Sequence, residues 1–242
     1  MSKRPVVLVV MDGVGISDSE FGNAVKKAYK PTLDDLWENS PHTEIKAHGL
    51  AVGLPTDDDM GNSEVGHNAL GCGQIYSQGA KLVNENIETG EIFKTDTWSG
   101  LVNNCKDGKM HFLGLLSDGN VHSHINHLKA LIKKAKEDGV KEVRVHALLD
   151  GRDVPETSAL TYVDDIEAYM SELNDDSFHA CIASGGGRMT ITMDRYEANW
   201  AMVEQGWHVH VLGEGREFAS AREAIETYRA ETGVVDQDLP GF

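Results

Sequence analysis

The sequence predicts an α/β protein built on a mainly parallel sheet, and three observations carry that reading. From about residue 110 onward, strand-like apolar runs alternate with amphipathic helical ones. The N-terminal run Pro5-Val-Val-Leu-Val-Val-Met11 is continuously apolar and β-branched, as a strand buried on both faces requires. The residues that follow the runs are turn-forming and charged, which suits the carboxyl edge of an open parallel sheet.

Taken in order, the first strand is expected to end at Asp12-Gly13. Pro31 to Trp37 reads as a helix with proline at its first position, where the missing N–H costs nothing. Thr43 to Ala47 alternates like a strand, and a Gly- and Asp-rich loop from Gly49 to Gly61 leads to a helical stretch from Ser63 to Leu70. Further strands are expected at Met110–Leu116, Glu142–Leu149, Phe178–Ala183 and His208–Leu212. Helices are expected at Ile125–Glu137, Glu156–Leu173, Tyr196–Glu204 and Ala219–Arg229, with Gly139 and Gly206 closing two of them. Irregular spacing before Tyr76 and regular α/β alternation after it suggest two domains, 1–76 and 77–242.

The chain has 242 residues, with 40% hydrophobic and 25% charged, the proportions of a globular protein rather than a disordered or fibrous one. No apolar run approaches the roughly 18 residues of a membrane span, and the N-terminal run is too short for a secretory core. Cys72, Cys105 and Cys181 are widely spaced and odd in number, which fits reduced thiols and a cytoplasmic setting. With 22 basic against 39 acidic residues the net charge is −17, so a sequence-independent nucleic-acid binder is not expected. An anionic small substrate stays open, because screening over about 8 Å lets a few arginines in a cleft outweigh a distant acidic surface.

Ligands of open parallel sheets bind beyond the strands' carboxyl ends. There the sequence places Ser117-Asp-Gly-Asn-Val-His122, Asp150-Gly-Arg152-Asp153 and Ser184-Gly-Gly-Gly-Arg188, with Asp194 and Arg195 close behind. Arginine forks and glycine backbones together make a site for phosphate or carboxylate. Asp12, after the first strand, is either a metal ligand or a turn former in Asp-Gly, and its position alone favours the turn. Ser63 opens a helical stretch, where it could serve as a nucleophile toward phosphorus or simply cap the helix. His67, one turn on, is a base or a structural imidazole. His122, His124 and His127 share no face that would gather them around zinc. No dinucleotide fingerprint or Walker sequence is present.

Val9-Val-Met-Asp-Gly13, Gly61-Asn-Ser-Glu-Val-Gly-His-Asn68, Leu115-Leu-Ser-Asp-Gly-Asn-Val-His-Ser-His124, Leu149-Asp-Gly-Arg-Asp153 and Met193-Asp-Arg195 occur in this order. Together they closely resemble the cofactor-independent phosphoglycerate mutases, metalloenzymes of the alkaline phosphatase superfamily that need no 2,3-bisphosphoglycerate. The resemblance implies an alkaline-phosphatase-like first segment followed by an inserted transferase-like α/β domain. It implies that Ser63 is the nucleophile that becomes phosphoserine and also a metal ligand, with Asp12 a ligand of the same metal. His122, Arg152, Asp153, Arg188 and Arg195 would hold the phosphoglycerate. The implied cation is divalent, Mn²⁺ by family habit, and the implied reaction interconverts 3-phosphoglycerate and 2-phosphoglycerate in glycolysis and gluconeogenesis. A monomer without nucleic-acid or membrane partners is expected.

The sequence departs from the family in three places. The loop Leu54–Gly61 is more acidic and one residue longer than usual, and the stretch after Arg188 differs in length from bacterial members. Family members are also roughly double the length of this chain, and their remaining metal ligands fall beyond residue 242. The expectation is therefore an N-terminal half that is inactive alone. The alternatives are a phosphomutase or phosphatase for another small phosphoester, or a fragment that binds phosphoglycerate without turnover.

Overall fold

The computed structural model describes residues 5–11, 14–192 and 199–242. They fall into two compact units, Met1–Ala47 and His48–Phe242. Compactness thus divides the chain earlier than Tyr76, because residues 48–76 pack within the second unit.

The first unit holds α1 (Ala24–Lys27) and α2 (Pro31–Asn39). Pro31 opens α2 as expected, with Lys30 paired to Asp34 at 2.7 Å. Pro5 to Met11, however, is not a strand: its side chains are exposed, Val6 at 95%. A strand buried on both faces exists only between partners, and none of the described residues pairs with this one. Thr43–Ala47 is irregular too.

In the second unit, the turn Gly49–Val52 and α3 (Ser63–Cys72) bury Val52, Leu54 and Val65 together. Gln78 ties this knot by donating from Nε2 to the carbonyls of Val52 and Val65, at 2.9 and 3.1 Å. Then come α4 (Ala80–Glu88), α5 (Asp96–Cys105), β1 (Met110–Leu115), α6 (Ile125–Glu137), β2 (Glu142–Leu149), α7 (Ala159–Leu173) and β3 (His179–Gly187). The sheet has the order β1-β2-β3, parallel throughout. Val143, Val145, Ala147 and Leu149 alternate along one face of β2 and bury against Ile132 and Ala135 of α6 and Val163, Ile166 and Met170 of α7. The other face packs Leu115 and Leu148 on Ile191 and Val209.

The chain closes with α8 (Arg188–Ile191), α9 (Trp200–Trp207) and α10 (Ala221–Thr232). The expected strand at His208–Leu212 is instead a π-helical turn continuing α9. Met202, Gly206 and Val209 are buried at helical spacing, and Gly206 sits so tightly on Ile191 that a Cβ there would fall 1.6 Å from its carbonyl oxygen. That packing overrides the local alternation of His-Val-His-Val. Asp236, fully buried, caps α7 by accepting from the Ala159 N–H at 2.8 Å and is held by the Arg229 guanidinium.

β3 runs further than expected, through the glycine triplet. Its pairing shifts from Val145↔Ile182 to His146↔Ser184, so Ala183 is bulged. Gly185 exchanges two backbone hydrogen bonds with Phe242, each 2.9 Å, and the Gly187 N–H donates to the Leu239 carbonyl. A Cβ on Gly187 would lie 2.2 Å from the Gln237 carbonyl oxygen. These glycines admit the backbone of residues 237–242, where the sequence suggested an approaching anion. At the other end of β3, the Asn174 side chain pairs with both the N–H and the carbonyl of Ala180. Among the described residues no helix is long and apolar enough to cross a membrane.

A polar string crosses the second face: His111 Nδ1 to His146 Nε2 at 2.8 Å, then His146 Nδ1 to Ser184 Oγ and Ser184 Oγ to His210 Nδ1, both 2.7 Å. Burial, with His210 and His111 nearby, lowers His146 to about 4. The folded chain therefore keeps this ring neutral where the unfolded chain, near 6.5, has already taken up a proton. Stability is present in full above pH 6.5 and is lost as pH falls toward 4. We expect the unfolding free energy to drop by about 2 kcal/mol between about pH 7 and about pH 5 through this group. Urea titrations of wild type and His146→Asn at both pH values check this, and equal losses in the two proteins would refute it.

Candidate functional site

Three strand-end segments meet at the carboxyl edge of the sheet. After β1 the backbone turns back on itself, with the Ile125 N–H donating to the Ser117 carbonyl at 2.8 Å and Ser123 Oγ to the Leu115 carbonyl at 2.6 Å. After β2 comes Asp150, almost wholly buried. Its Oδ2 accepts from Ser117 Oγ at 2.7 Å. Its Oδ1 accepts from the N–H groups of Gly151, Arg152 and Asp153 at 2.8, 3.1 and 3.1 Å. Burial by itself would raise this carboxyl, but the Ser117 hydroxyl and the three backbone donors outweigh it, so Asp150 stays below the usual carboxylate range. Gly151 adopts φ 144°, and the Glu156 carbonyl stands where a side chain would go.

After β3, Arg188 is 2% exposed. Its Nη1 donates to Asp153 Oδ2 at 2.9 Å and to Asp150 Oδ1 at 3.2 Å. Its Nε is buried with no hydrogen-bond partner among the described residues. A guanidinium gripped on one side by two carboxylates, with a further N–H unspent, is fixed in place and still has donor capacity. Arg152 is exposed, its backbone N–H held by the same Asp150, and His122 is exposed on the loop after β1. The structure therefore brings Arg152, Asp153 and Arg188 together around Asp150. Asp12, Asp194 and Arg195 lie outside the described residues.

Ser63 is the first residue of α3 and is exposed. The cap of this helix is Asn62, whose Oδ1 accepts from the Val65 N–H at 2.9 Å. Ser63 is thus not the capping residue, and its hydroxyl sits in the first turn where the helix dipole favours an anion. His67 Nδ1 bonds the Ser63 backbone carbonyl at 2.6 Å, which holds that ring against the helix. Two further histidines are structural: His124 accepts from the Asn126 N–H at the start of α6, and His127 bonds Asn84. Among the described residues no three His, Cys, Asp or Glu side chains group to hold a metal ion.

Sequence reasoning places Ser117 and Asp150 at the strand ends without giving them a role. The available signal is an acid between a buried apolar run and Gly-Arg-Asp, a position where a carboxylate can collect the N–H groups of the turn it opens.

Comparison with known proteins bears on the same residues. A family model described as "BPG-independent PGAM N-terminus (iPGM_N)" matches residues 83–242. A Leptospira interrogans protein named "Probable 2,3-bisphosphoglycerate-independent phosphoglycerate mutase" is 56% identical over 99% of this chain and 44% of its own length. The Trypanosoma brucei brucei 2,3-bisphosphoglycerate-independent phosphoglycerate mutase is 50% identical, matching 100% of this chain and 45% of itself. The crystal structure of Leishmania mexicana phosphoglycerate mutase at low cobalt concentration superposes with a TM-score of 0.86 and 48% identity, covering 96% of this chain and 43% of that one. The chain thus spans less than half the length of these relatives. With the family model covering most of its residues and the solved relative sharing its fold, the chain belongs to the 2,3-bisphosphoglycerate-independent phosphoglycerate mutase family, to whose N-terminal part it corresponds.

Proposed function

We propose that this chain supplies the serine nucleophile and the phosphoglycerate-holding arginines of a mutase that interconverts 3-phosphoglycerate and 2-phosphoglycerate. The observation that carries the reading is Arg188, buried and braced by Asp150 and Asp153, with Arg152 on the turn that Asp150 holds at the sheet's carboxyl edge. That pair suits an anion with several oxygens. His122 and Arg195 would complete the grip. In the reaction, Ser63 Oγ attacks phosphorus and the bond to the C3 oxygen breaks, that oxygen taking up a proton. The C2 hydroxyl then attacks the phosphoserine, and the serine hydroxyl re-forms. The arginines keep the glycerate from leaving between the two steps, since its loss would make the enzyme a phosphatase.

Residues 1–76 belong, in this reading, to a phosphatase-like domain and 77–242 to a transferase-like one, a division supported by the family match that begins at residue 83. A divalent cation, Mn²⁺ in the family, would lower the serine's pKa and offset phosphoryl charge, with Asp12 and Ser63 as its donors here. Asp12 lies outside the described residues, among which no three His, Cys, Asp or Glu side chains group to hold a metal ion. Phosphate-monoester cleavage needs accelerations of up to ~10²¹-fold, which a serine at a helix start does not supply.

Calorimetry with 3-phosphoglycerate tests the reading. We expect the wild-type chain to bind and Arg188→Ala to lose tenfold or more in affinity, with circular dichroism confirming that it is folded. Equal affinity in both would remove the reading's main support. Asp150→Asn keeps the side chain's size but weakens its hold on the turn and on Arg188, so we expect a smaller loss, about threefold to tenfold. A coupled enolase assay with Mn²⁺ should show little or no turnover by this chain, and robust turnover would contradict that expectation.

A further inference from the structure

Asp59 sits in the acidic loop that leads into Ser63, and Asn120 in the loop that leaves β1. Asn120 Nδ2 donates to Asp59 Oδ1. The other carboxylate oxygen accepts from the Thr56 N–H at 2.7 Å and Thr56 Oγ1 at 2.8 Å. The Asp59 backbone carbonyl in turn receives the Gly49 N–H at 3.1 Å, and Asp57 Oδ1 receives the Leu50 N–H at 3.2 Å. The acidic loop is therefore folded onto the Gly49–Val52 turn, whose Val52 packs on Val65, two residues after Ser63. Loop, turn and the start of α3 form one knot, and Asp59 is a point where that knot grips the sheet's carboxyl edge.

Asn120 bears two local costs. Its φ of 60° makes it the non-glycine residue in left-handed backbone among those described, and its Oδ1 is buried without a hydrogen-bond partner among them. Such costs persist where surrounding structure imposes them, and they gather at functional positions. Next to it, Gly119 lies so close to Asp153 that a Cβ would meet the Asp153 Cβ at 2.8 Å. The stretch presenting Asn120 is thus packed on the residue that braces Arg188. Burial would raise the Asp59 carboxyl, but hydrogen bonds from Asn120 and Thr56 more than offset it and hold it low, with His124 adding a minor pull.

We propose that Asp59 and Asn120 are a positioning pair: their hydrogen bond sets where the Ser63 segment stands relative to the loop packed against Asp153 and Arg188. The pair acts through the segments it joins. The inference rests on the reading of Ser63 and the arginines given above. It gives the acidic character of this loop a structural purpose, since one of its carboxylates is spent on joining two segments.

The test is an exchange of roles. Asp59→Asn sets an amide N–H₂ either against the Thr56 N–H or against the Asn120 amide, so one bond is lost. Asn120→Asp tolerates the left-handed backbone but puts two carboxylates together. In the double variant, the amide introduced at position 59 keeps its oxygen toward Thr56 and donates to the carboxylate introduced at position 120, restoring the bond with its polarity reversed. Hydrogen exchange of residues 54–66 and 3-phosphoglycerate affinity are measured on the 242-residue chain. We expect each single variant to raise exchange in that segment by roughly tenfold and weaken binding by threefold or more. The double variant should return both to within about twofold of wild type. Unchanged exchange in the single variants, or a double variant that fails to restore it, would overturn the pair. Exchange rescued while all variants bind equally would overturn its positioning role. A wild-type chain that binds no 3-phosphoglycerate would instead overturn the functional reading, and with it the role assigned to the pair.

Discussion

One buried carboxylate organises the carboxyl edge of this sheet. Asp150 receives the Ser117 hydroxyl from the loop after β1, three N–H groups of its own turn after β2, and the Arg188 guanidinium that opens the helix after β3. An ionised carboxylate placed there without donors would cost several kcal/mol, and with them it locks three separate loops to one point. The positions of Arg152, Asp153 and Arg188 follow from that lock. A site built this way needs no ligand to gather its arginines, which lowers the ordering cost of binding a small anion.

Much of this arrangement is legible in the residues, and the gaps have physical causes. β2 and α6 run as their apolar patterns require, because β2 lies in the centre of the sheet and α6 carries a clear stripe ended by a left-handed Gly139. The convergence of Arg152, Asp153 and Arg188 follows from parallel topology alone, since every strand delivers its next residues to the same edge. Pattern fails where the outcome depends on partners. The run from Pro5 to Met11 has the composition of a central strand, and composition does not provide neighbours to bond with. His208 to Leu212 alternates like a strand, yet the tight seat of Gly206 on Ile191 carries the helix through it. A glycine triplet before an arginine reads equally well as an anion loop or as room for another stretch of backbone. Only the packing of residues 237–242 decides between them. Asp150 is inconspicuous in the sequence because its importance lies in how many donors it collects, a property of the fold and not of its neighbours along the chain.

The start of α3 is shared between Asn62 and Ser63. Helix starts commonly use a serine to satisfy a free N–H, and here Asn62 does so instead. Ser63 follows it in the first helical turn, where the N–H groups of the helix start favour a nearby anion. The segment that carries Ser63 is tied down by residues around it, the Val52–Leu54–Val65 cluster and Gln78.

The ends of β3 also bear on how the molecule meets its own kind. Among the described residues β3 is an outermost strand, and such a strand is a template on which a foreign one can crystallise. Here the amide of Asn174 plugs one end at Ala180, and Phe242 occupies both bonding groups of Gly185 at the other. Between these two stoppers lies a bulge at Ala183, which throws any incoming ladder out of step. Among the described residues the margin is hemmed at both ends, and residues 239–242, which fill the space over its glycines, also deny that stretch of the rim to a foreign strand.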